Sequence, residues 1–193
     1  MITPSHIIYG WASAKGSEEQ PDKSRTLAFV IGSILPDTPT YLFFVVQAFV
    51  LQVNQRTIWR ELYFDSGWTP FITMSHSLLL WPALLLASYI YDWRITKYVT
   101  TAAILHISLD FLVHNDDAYA HFWPLTDWKF FSPVSYWDPS HYGTIVSMID
   151  AIVIVGLLGW LGCLYKPNRV IQIVVSLLIV LYVVMQAVTL FIV

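Results

Sequence analysis

Long apolar stretches constrain this chain more than any other feature of its sequence. A membrane-spanning helix needs about 20 mostly apolar residues. The stretches that approach or exceed this length are Leu27–Val53, Pro70–Tyr91, Lys97–Val113, Gly143–Tyr165 and Val170–Val193. Only 12% of the 193 residues are charged, which leaves too little polar surface to cover a water-exposed globule. The sequence therefore predicts an all-α, polytopic transmembrane bundle with five long spans.

The remaining segments are predicted to complete a single membrane domain over residues 1–193. Ile2–Ala14 is too short to span a bilayer and is interpreted as a short packed or interfacial helix. Asn115–Tyr142 carries four aspartates, three prolines and three tryptophans, a composition that favours a structured loop at the membrane surface. Met1–Lys15 lacks the basic region of a cleavable signal, and the single Cys163 excludes an internal disulfide.

The distribution of basic residues predicts the orientation of the bundle. Seven of the ten Lys and Arg residues fall on one side of the five predicted spans, and the richer side is expected to be cytoplasmic. Asn115–Tyr142 is then periplasmic or external, and the protein is predicted in the bacterial inner membrane. The net charge is only −3 and no basic cluster is present, so membrane lipids and a lipid-like substrate are expected as partners, and nucleic acid is not.

Ionisable side chains inside the apolar stretches are the strongest indication of function, because each is costly at membrane depth. His106 and Asp110 are four residues apart and share one helix face. Asp37 lies between two prolines, which disturb a helix and let a carboxylate point into a cavity. The candidate metal ligands are His6, Asp37, His76, His106 and Asp110.

Imidazole and carboxylate groups are the ligands of zinc, manganese or iron at catalytic centres. Zinc or manganese is expected first, and one shared divalent cation would offset the charges of the two aspartates. Asp110, or Asp37 where it is not a ligand, is the predicted general base. His114, Asp117 and His121, which belong to the loop or border it, are candidate lid or secondary contributors.

Simpler explanations exist for each of these residues. His106 and Asp110 can form hydrogen bonds between helices, and Asp37 can cap the helix half that follows it. His76 and His6 can face water at the membrane boundary. Acidic residues in a loop are usually solvated, so the loop can be a lid without any ligand of its own.

The same residues occur in a pattern that resembles a known family. Its elements read here as Thr3-Pro-Ser-His6, Gly32-Ser-Ile-Leu-Pro-Asp37, Ser75-His-Ser77 and His106-Ile-Ser-Leu-Asp110. Over roughly its first two-thirds the chain resembles the bacterial inner-membrane proteins known as membrane-bound metal-dependent hydrolases. The resemblance implies that the five candidate ligands form a metal shell.

The chain departs from the family pattern at one position. Many members carry an Arg shortly before the His-Ser element, where this chain has Pro70-Phe-Ile-Thr-Met-Ser75. An Arg can hold a phosphate through two hydrogen bonds, so its absence argues against a phosphate substrate. A related subgroup carries a cobalamin-biosynthesis label, although nothing in this chain resembles a corrin or nucleotide site.

The sequence thus favours a membrane-embedded metal-dependent hydrolase that acts on a lipid or lipid-linked ester or phosphoester. The alternative is a non-enzymatic membrane protein, either a small transporter or an accessory subunit, whose polar cluster lines an ion path or packs helices. The final two spans contain Asp150 as their only ionisable residue, near the outer boundary. They are predicted to be scaffold, with Asp150 facing interfacial water.

Overall fold

The structure of the protein is a computed structural model that describes residues 1–15, 22–64, 67–165 and 168–192, with side chains up to residue 184. Within these ranges the chain is all-helical and contains no strand. The helices are α1 Thr3–Ser13, α2 Lys23–Ile34, α3 Thr38–Val45, α4 Gln55–Thr57, α5 Thr69–Ser75, α6 Leu80–Ile90, α7 Arg94–Val113, α8 Gly143–Leu164 and α9 Arg169–Ile192. The all-α prediction is confirmed for the described residues.

The predicted number of long spans is wrong. Among the described residues, two helical segments are long and apolar enough to cross a membrane, Lys23–Val50 and Gly143–Leu164. The number rises to three if α5 and α6, which are bent by 49° relative to each other, are counted as one span. Length and composition therefore support two or three spans in this part of the chain, and not five.

Two other predicted spans are missing from this count, each for a separate reason. Helix α7 has 20 residues, but Thr, Ser, His, Asp, Lys and Arg side chains dilute its apolar character. It packs against α1, α2 and α6, so part of its surface meets protein and not lipid. For α9, whose helix runs over Arg169–Ile192, the counted segment Arg169–Val184 ends where the described side chains end, so the predicted span Val170–Val193 lies partly outside the described residues.

The segment Lys23–Val50 follows one helical path that is tightened at Asp37. Leu35–Asp37 forms a single 3-10 turn between α2 and α3. Pro36 and Pro39 lack the amide donors that would bond carbonyls one turn earlier, so the helix adjusts locally without breaking. This turn directs Asp37 into the protein, where it is only 9% exposed.

Small residues allow α1, α2 and α7 to approach one another closely. A Cβ at Gly32 would lie 2.2 Å from the carbonyl oxygen of Val99, and a Cβ at Gly10 would lie 2.0 Å from Ser33 Oγ. A side chain at Gly32 would have to displace the backbone of α7, and one at Gly10 would have to displace the Ser33 side chain. The close packing brings α1, the end of α2 and the centre of α7 to one level.

The hairpin α8–α9 packs against α1 on the opposite side of that helix. The buried apolar contact comprises Ile8, Ile154, Leu158, Val175 and Tyr182. The outer side chains of the hairpin are exposed, with Ile152 at 70% and Leu177 at 64%. Exposed apolar surface on this scale is typical of helices that lipid covers.

Candidate metal centre

Four of the five predicted ligands converge at one buried point. Ligand atoms of Asp37, His76, His106 and Asp110 all lie within 4.8 Å of one another. Nε2 of His76 is 3.5 Å from Asp37 Oδ1 and 3.8 Å from Asp110 Oδ2, and Nε2 of His106 is 3.6 Å and 3.1 Å from the same two atoms. Two atoms bound tetrahedrally to one zinc ion are about 3.3–3.6 Å apart. The spacing therefore fits a divalent cation between them.

The tautomers of the two histidines also fit metal binding. Nδ1 of His106 lies 2.7 Å from the carbonyl oxygen of Ser33, and Nδ1 of His76 lies 2.9 Å from that of Ile72. A carbonyl oxygen only accepts, so each Nδ1 carries the proton and each neutral ring keeps its lone pair on Nε2. Both Nε2 atoms are buried without a hydrogen-bond partner among the described residues. Metal-ligating histidines are held in this way.

His76 is positioned by the break between α5 and α6. Ser77 Oγ accepts hydrogen bonds from two backbone amides at the start of α6, as a helix cap does. The amide of Leu78 donates to the carbonyl of His121 at 2.7 Å, and Nδ1 of His121 donates to the carbonyl of His76 at 2.9 Å. Burial lowers the pKa of His121 to about 4, so its ring is neutral at neutral pH. The loop after α7 therefore holds in place the bend between α5 and α6 at which His76 lies.

His6, the fifth predicted ligand, lies beside the group of four. Its Nε2 is 3.0 Å from Asp110 Oδ1, and its ring stacks on that of His106 with the ring centroids 3.6 Å apart. Asp110 is only 1% exposed, so its orientation depends on such contacts. His6 is thus placed to hold Asp110 and His106 in position.

Asp110 directs its two carboxylate oxygens to different neighbours. Oδ2 faces the group of four, whereas Oδ1 meets His6, Nε2 of His114 at 3.2 Å and the amino group of Met1 at 2.5 Å. Asp117 Oδ2 in turn lies 3.0 Å from Nδ1 of His114. The predicted secondary contributors His114 and Asp117 therefore form a relay behind Asp110 and do not enter the group of four.

The partners of Asp37 and His76 were missed at the level of sequence. Thr3 Oγ1 donates to Asp37 Oδ2, and the hydroxyl of Tyr41 donates to Thr3 Oγ1 at 2.6 Å. Thr3 stands in the same amino-terminal motif as His6, which was its only sequence signal. Tyr119 stacks on the ring of His76 with the centroids 3.8 Å apart, and no spacing in the sequence indicated that contact.

A cavity of about 900 Å³ reaches the group of four at Asp37. Its walls come from α1, α3, the segment after α4 and the loop that follows α7. Asp37 is the one member of the group that lines this cavity. Ligand pockets typically measure about 300–1,000 Å³, so a small or amphiphilic molecule can reach Asp37 from here.

The fold and the site define a helical membrane protein with two histidines and two aspartates gathered at one buried point. The chain belongs to the YdjM inner membrane protein family, whose model matches residues 1–192. No curated protein and no solved structure matches the chain. The prediction of a bacterial inner-membrane family is confirmed, whereas no comparison carries the hydrolase label. The multi-pass arrangement and the external side of the loop stay predictions.

Proposed function

We propose that the protein is a metal-dependent hydrolase of the inner membrane that acts on a lipid or lipid-linked ester or phosphoester. One observation carries the proposal: the buried Nε2 atoms of His76 and His106 lack hydrogen-bond partners among the described residues. Both atoms face the carboxylates of Asp37 and Asp110 across 3.1 to 3.8 Å. Buried polar atoms are rarely left unpaired, and two lone pairs opposite two carboxylates suit a cation.

Three of the residues are suited mainly to holding the cation. His76, His106 and Asp110 are each 1% exposed or less, and none of them lines the cavity. A zinc or manganese ion held there would polarise a substrate oxygen and make hydroxide available near neutral pH. Carbonyl groups fix the two imidazole rings, and His6 fixes Asp110, so the ligands are oriented before any substrate arrives.

Asp37 is suited to moving the proton. It belongs to the group of four and also lines the cavity, and Thr3 holds its Oδ2 atom. In hydrolysis the water oxygen bonds to the acyl carbon or phosphorus, and the bond to the alcohol oxygen breaks. Asp37 accepts the proton from water and returns it to the leaving alcohol.

Metal content is the direct test of the proposal. The full chain, purified in a neutral detergent, is expected to contain stoichiometric zinc or manganese by plasma mass spectrometry. His76→Ala and His106→Ala should lose the metal, whereas His141→Ala should keep it because His141 lies in the loop outside the group of four. A metal-free wild type, or full metal in both cluster variants, would contradict the metal site and leave the transporter or accessory-subunit alternative.

The role of Asp37 requires a second measurement. Asp37→Asn keeps the shape of the side chain but cannot accept a proton at neutral pH. We expect it to abolish hydrolysis of p-nitrophenyl decanoate or bis(p-nitrophenyl) phosphate by metal-loaded protein. Wild-type turnover in this variant would remove Asp37 from the reaction without affecting the metal result.

We also propose that the cavity opens on the outer side of the membrane, since loop residues after α7 form part of its wall. Leu125 is 82% exposed, so Leu125→Cys in a Cys163→Ser background should react with a membrane-impermeant maleimide on intact cells. Tyr91→Cys, at the opposite end of α7, should react only after permeabilisation. The reverse pattern would place the cavity on the cytoplasmic side.

A further inference from the structure

The cavity that reaches Asp37 contains a cation that the metal group does not explain. Of the described residues that line it, Arg60 is the sole Lys or Arg. Arg60 lies in the π-helical turn Ile58–Leu62 that follows α4, and its side chain is exposed. It forms no ion pair with any residue in the described part of the chain. A guanidinium that is not engaged by the protein is available to a ligand.

The wall around Arg60 is largely aromatic. It includes Tyr41, Phe44, Trp59, Tyr63, Phe64 and Trp137. Trp59 stacks on Phe44 with the ring centroids 5.4 Å apart and contacts Tyr63 at 5.7 Å, so the rings support one another. Aromatic rings of this kind bury large apolar area and are enriched where membrane meets water. The wall therefore suits a hydrocarbon tail.

The acidic residues of the cavity do not cancel Arg60. Asp37 belongs to the group of four, and Asp117 lies 3.0 Å from Nδ1 of His114. Asp116 is exposed, so water screens its charge. The amino group of Met1, which also lines the cavity, is paired with Asp110 Oδ1. Among the described residues, Arg60 and the metal group are thus the two places in this cavity where a negatively charged ligand is favoured.

We propose that Arg60 binds the phosphate of an amphiphilic phosphoester whose tail lies along the aromatic wall and whose scissile bond faces Asp37. The inference rests on the proposed hydrolase function and names its substrate class. A carboxylic ester carries no charge at its hydrolysable bond and would leave the guanidinium unused. A phosphoester is negatively charged before and after hydrolysis and matches the planar guanidinium through two hydrogen bonds.

The reaction is the hydrolysis of one phosphorus–oxygen bond. Water supplies the oxygen of the new bond to phosphorus, the bond from phosphorus to the alcohol oxygen breaks, and the proton lost by water ends on that alcohol. Arg60 also provides a guanidinium in a chain that lacks the Arg which many family members carry shortly before the His-Ser element. Its guanidinium lines the cavity from the segment after α4.

Binding to detergent-purified, zinc-loaded full chain tests this assignment. The probe is dioctanoyl phosphatidate in its non-hydrolysable phosphonate form, with dioctanoylglycerol as its uncharged counterpart and inorganic phosphate as the tailless one, measured by calorimetry. Arg60→Gln should weaken phosphatidate binding about tenfold or more. The affinity of Arg60→Lys should lie between those of wild type and Arg60→Gln. Arg56→Gln removes the same charge one turn earlier, outside the cavity wall, and should stay within about twofold of wild type.

Each outcome separates this inference from the proposed function. Equal weakening of phosphatidate binding by Arg60→Gln and Arg56→Gln would show that the effect comes from general surface charge. That result would overturn the assignment of Arg60. Phosphatidate that binds no more tightly than inorganic phosphate would overturn the role of the aromatic wall. Zinc content is measured in the same samples, and its absence from wild type would overturn the hydrolase proposal itself.

Discussion

Two carboxylates inside this protein, Asp110 and Asp150, are held by the same short helix in opposite chemical ways. Asp150 of α8 accepts hydrogen bonds from Ser5 Oγ at 2.6 Å and from the hydroxyl of Tyr9 at 2.9 Å. Asp110 of α7 instead faces imidazole rings, including that of His6 at 3.0 Å. Successive residues of α1, Ser5 and His6, therefore serve two different carboxylates.

The two carboxylates differ in whether the polar atoms around them have hydrogen-bond partners. Hydroxyl groups donate to Asp150, and hydrogen bonding of that kind meets the needs of a half-buried carboxylate. Around Asp110, the Nε2 atoms of His76 and His106 have no hydrogen-bond partner among the described residues. A carboxylate held by hydroxyls joins helices, whereas one set among imidazole nitrogens without hydrogen-bond partners belongs to a donor set that suits a cation. Asp150 is half-buried and makes these contacts with α1, and its exposure to interfacial water stays a prediction.

The largest expected difference is in metal affinity, and it is between the same substitution made at each carboxylate. Asp110→Asn removes a charged ligand and should lower metal affinity by more than the roughly 10–100-fold typical of groups that only support a ligand. Asp150→Asn should leave the affinity unchanged, because Asp150 does not belong to the group of four. Competition with a chromogenic zinc chelator measures both. Equal losses in the two variants would mean that metal loss reflects general destabilisation.

A smaller difference is expected from neighbouring residues of α1. His6→Ala removes the hydrogen bond to Asp110 Oδ1 and the stacking on His106, so metal affinity should fall about 10–100-fold. Ser5→Ala changes only the side that faces Asp150 and Tyr182 and should bind metal as wild type does. A complete loss of metal in His6→Ala would instead indicate that His6 is itself a ligand.

Removal of the second carboxylate should affect stability and not the metal. Asp150→Leu breaks the hydrogen bonds from Ser5 and Tyr9. Hydrogen bonds between membrane helices contribute about 0.6 kcal/mol each on average, so we expect a free-energy loss of about 1 kcal/mol. Thermal unfolding in detergent measures it, with Ile152→Leu on the exposed side of α8 as the control. Metal loss without a change in unfolding would contradict the division between the two carboxylates.

The smallest effect is expected inside the α8–α9 hairpin. Gln172 Nε2 donates to the carbonyl of Gly162 at 2.5 Å, and Gln172→Leu should cost about 0.6 kcal/mol without any change in metal content. A variant at Gln186 addresses the same scaffold prediction, although its side chain lies outside the described residues. Metal loss in Gln172→Leu would show that the hairpin takes part in the site.

Several features of the site could be predicted from local sequence. His106 and Asp110 share a helix face because they are four residues apart in sequence. In the structure Nε2 of His106 lies 3.1 Å from Oδ2 of Asp110. Asp37 stands between prolines that tighten the helix, and this turn directs it inward. Ionisable residues in apolar stretches are costly enough that they indicate a shared purpose, and four of the five candidates do meet.

The features that could not be predicted all depend on contacts between distant segments. Exposure to lipid determines how apolar a helix must be, and α7 is packed partly against protein, so counting apolar stretches overestimated the spans. Arg60 reaches the cavity from a segment that the motifs do not include, and Tyr119 reaches His76 from the loop. Periodicity within one helix contains no information about such neighbours.

The sequence by itself determined that this is a helical membrane protein and which residues are candidates for its chemistry, because the cost of a charge in an apolar stretch depends on local composition alone. Only the tertiary structure decided which contacts each of those residues makes. It set His6 behind Asp110, brought Asp37 to a cavity with Arg60, and gave Asp150 hydroxyl partners. Each of these outcomes depends on which helices pack together, and packing is a property of the whole chain.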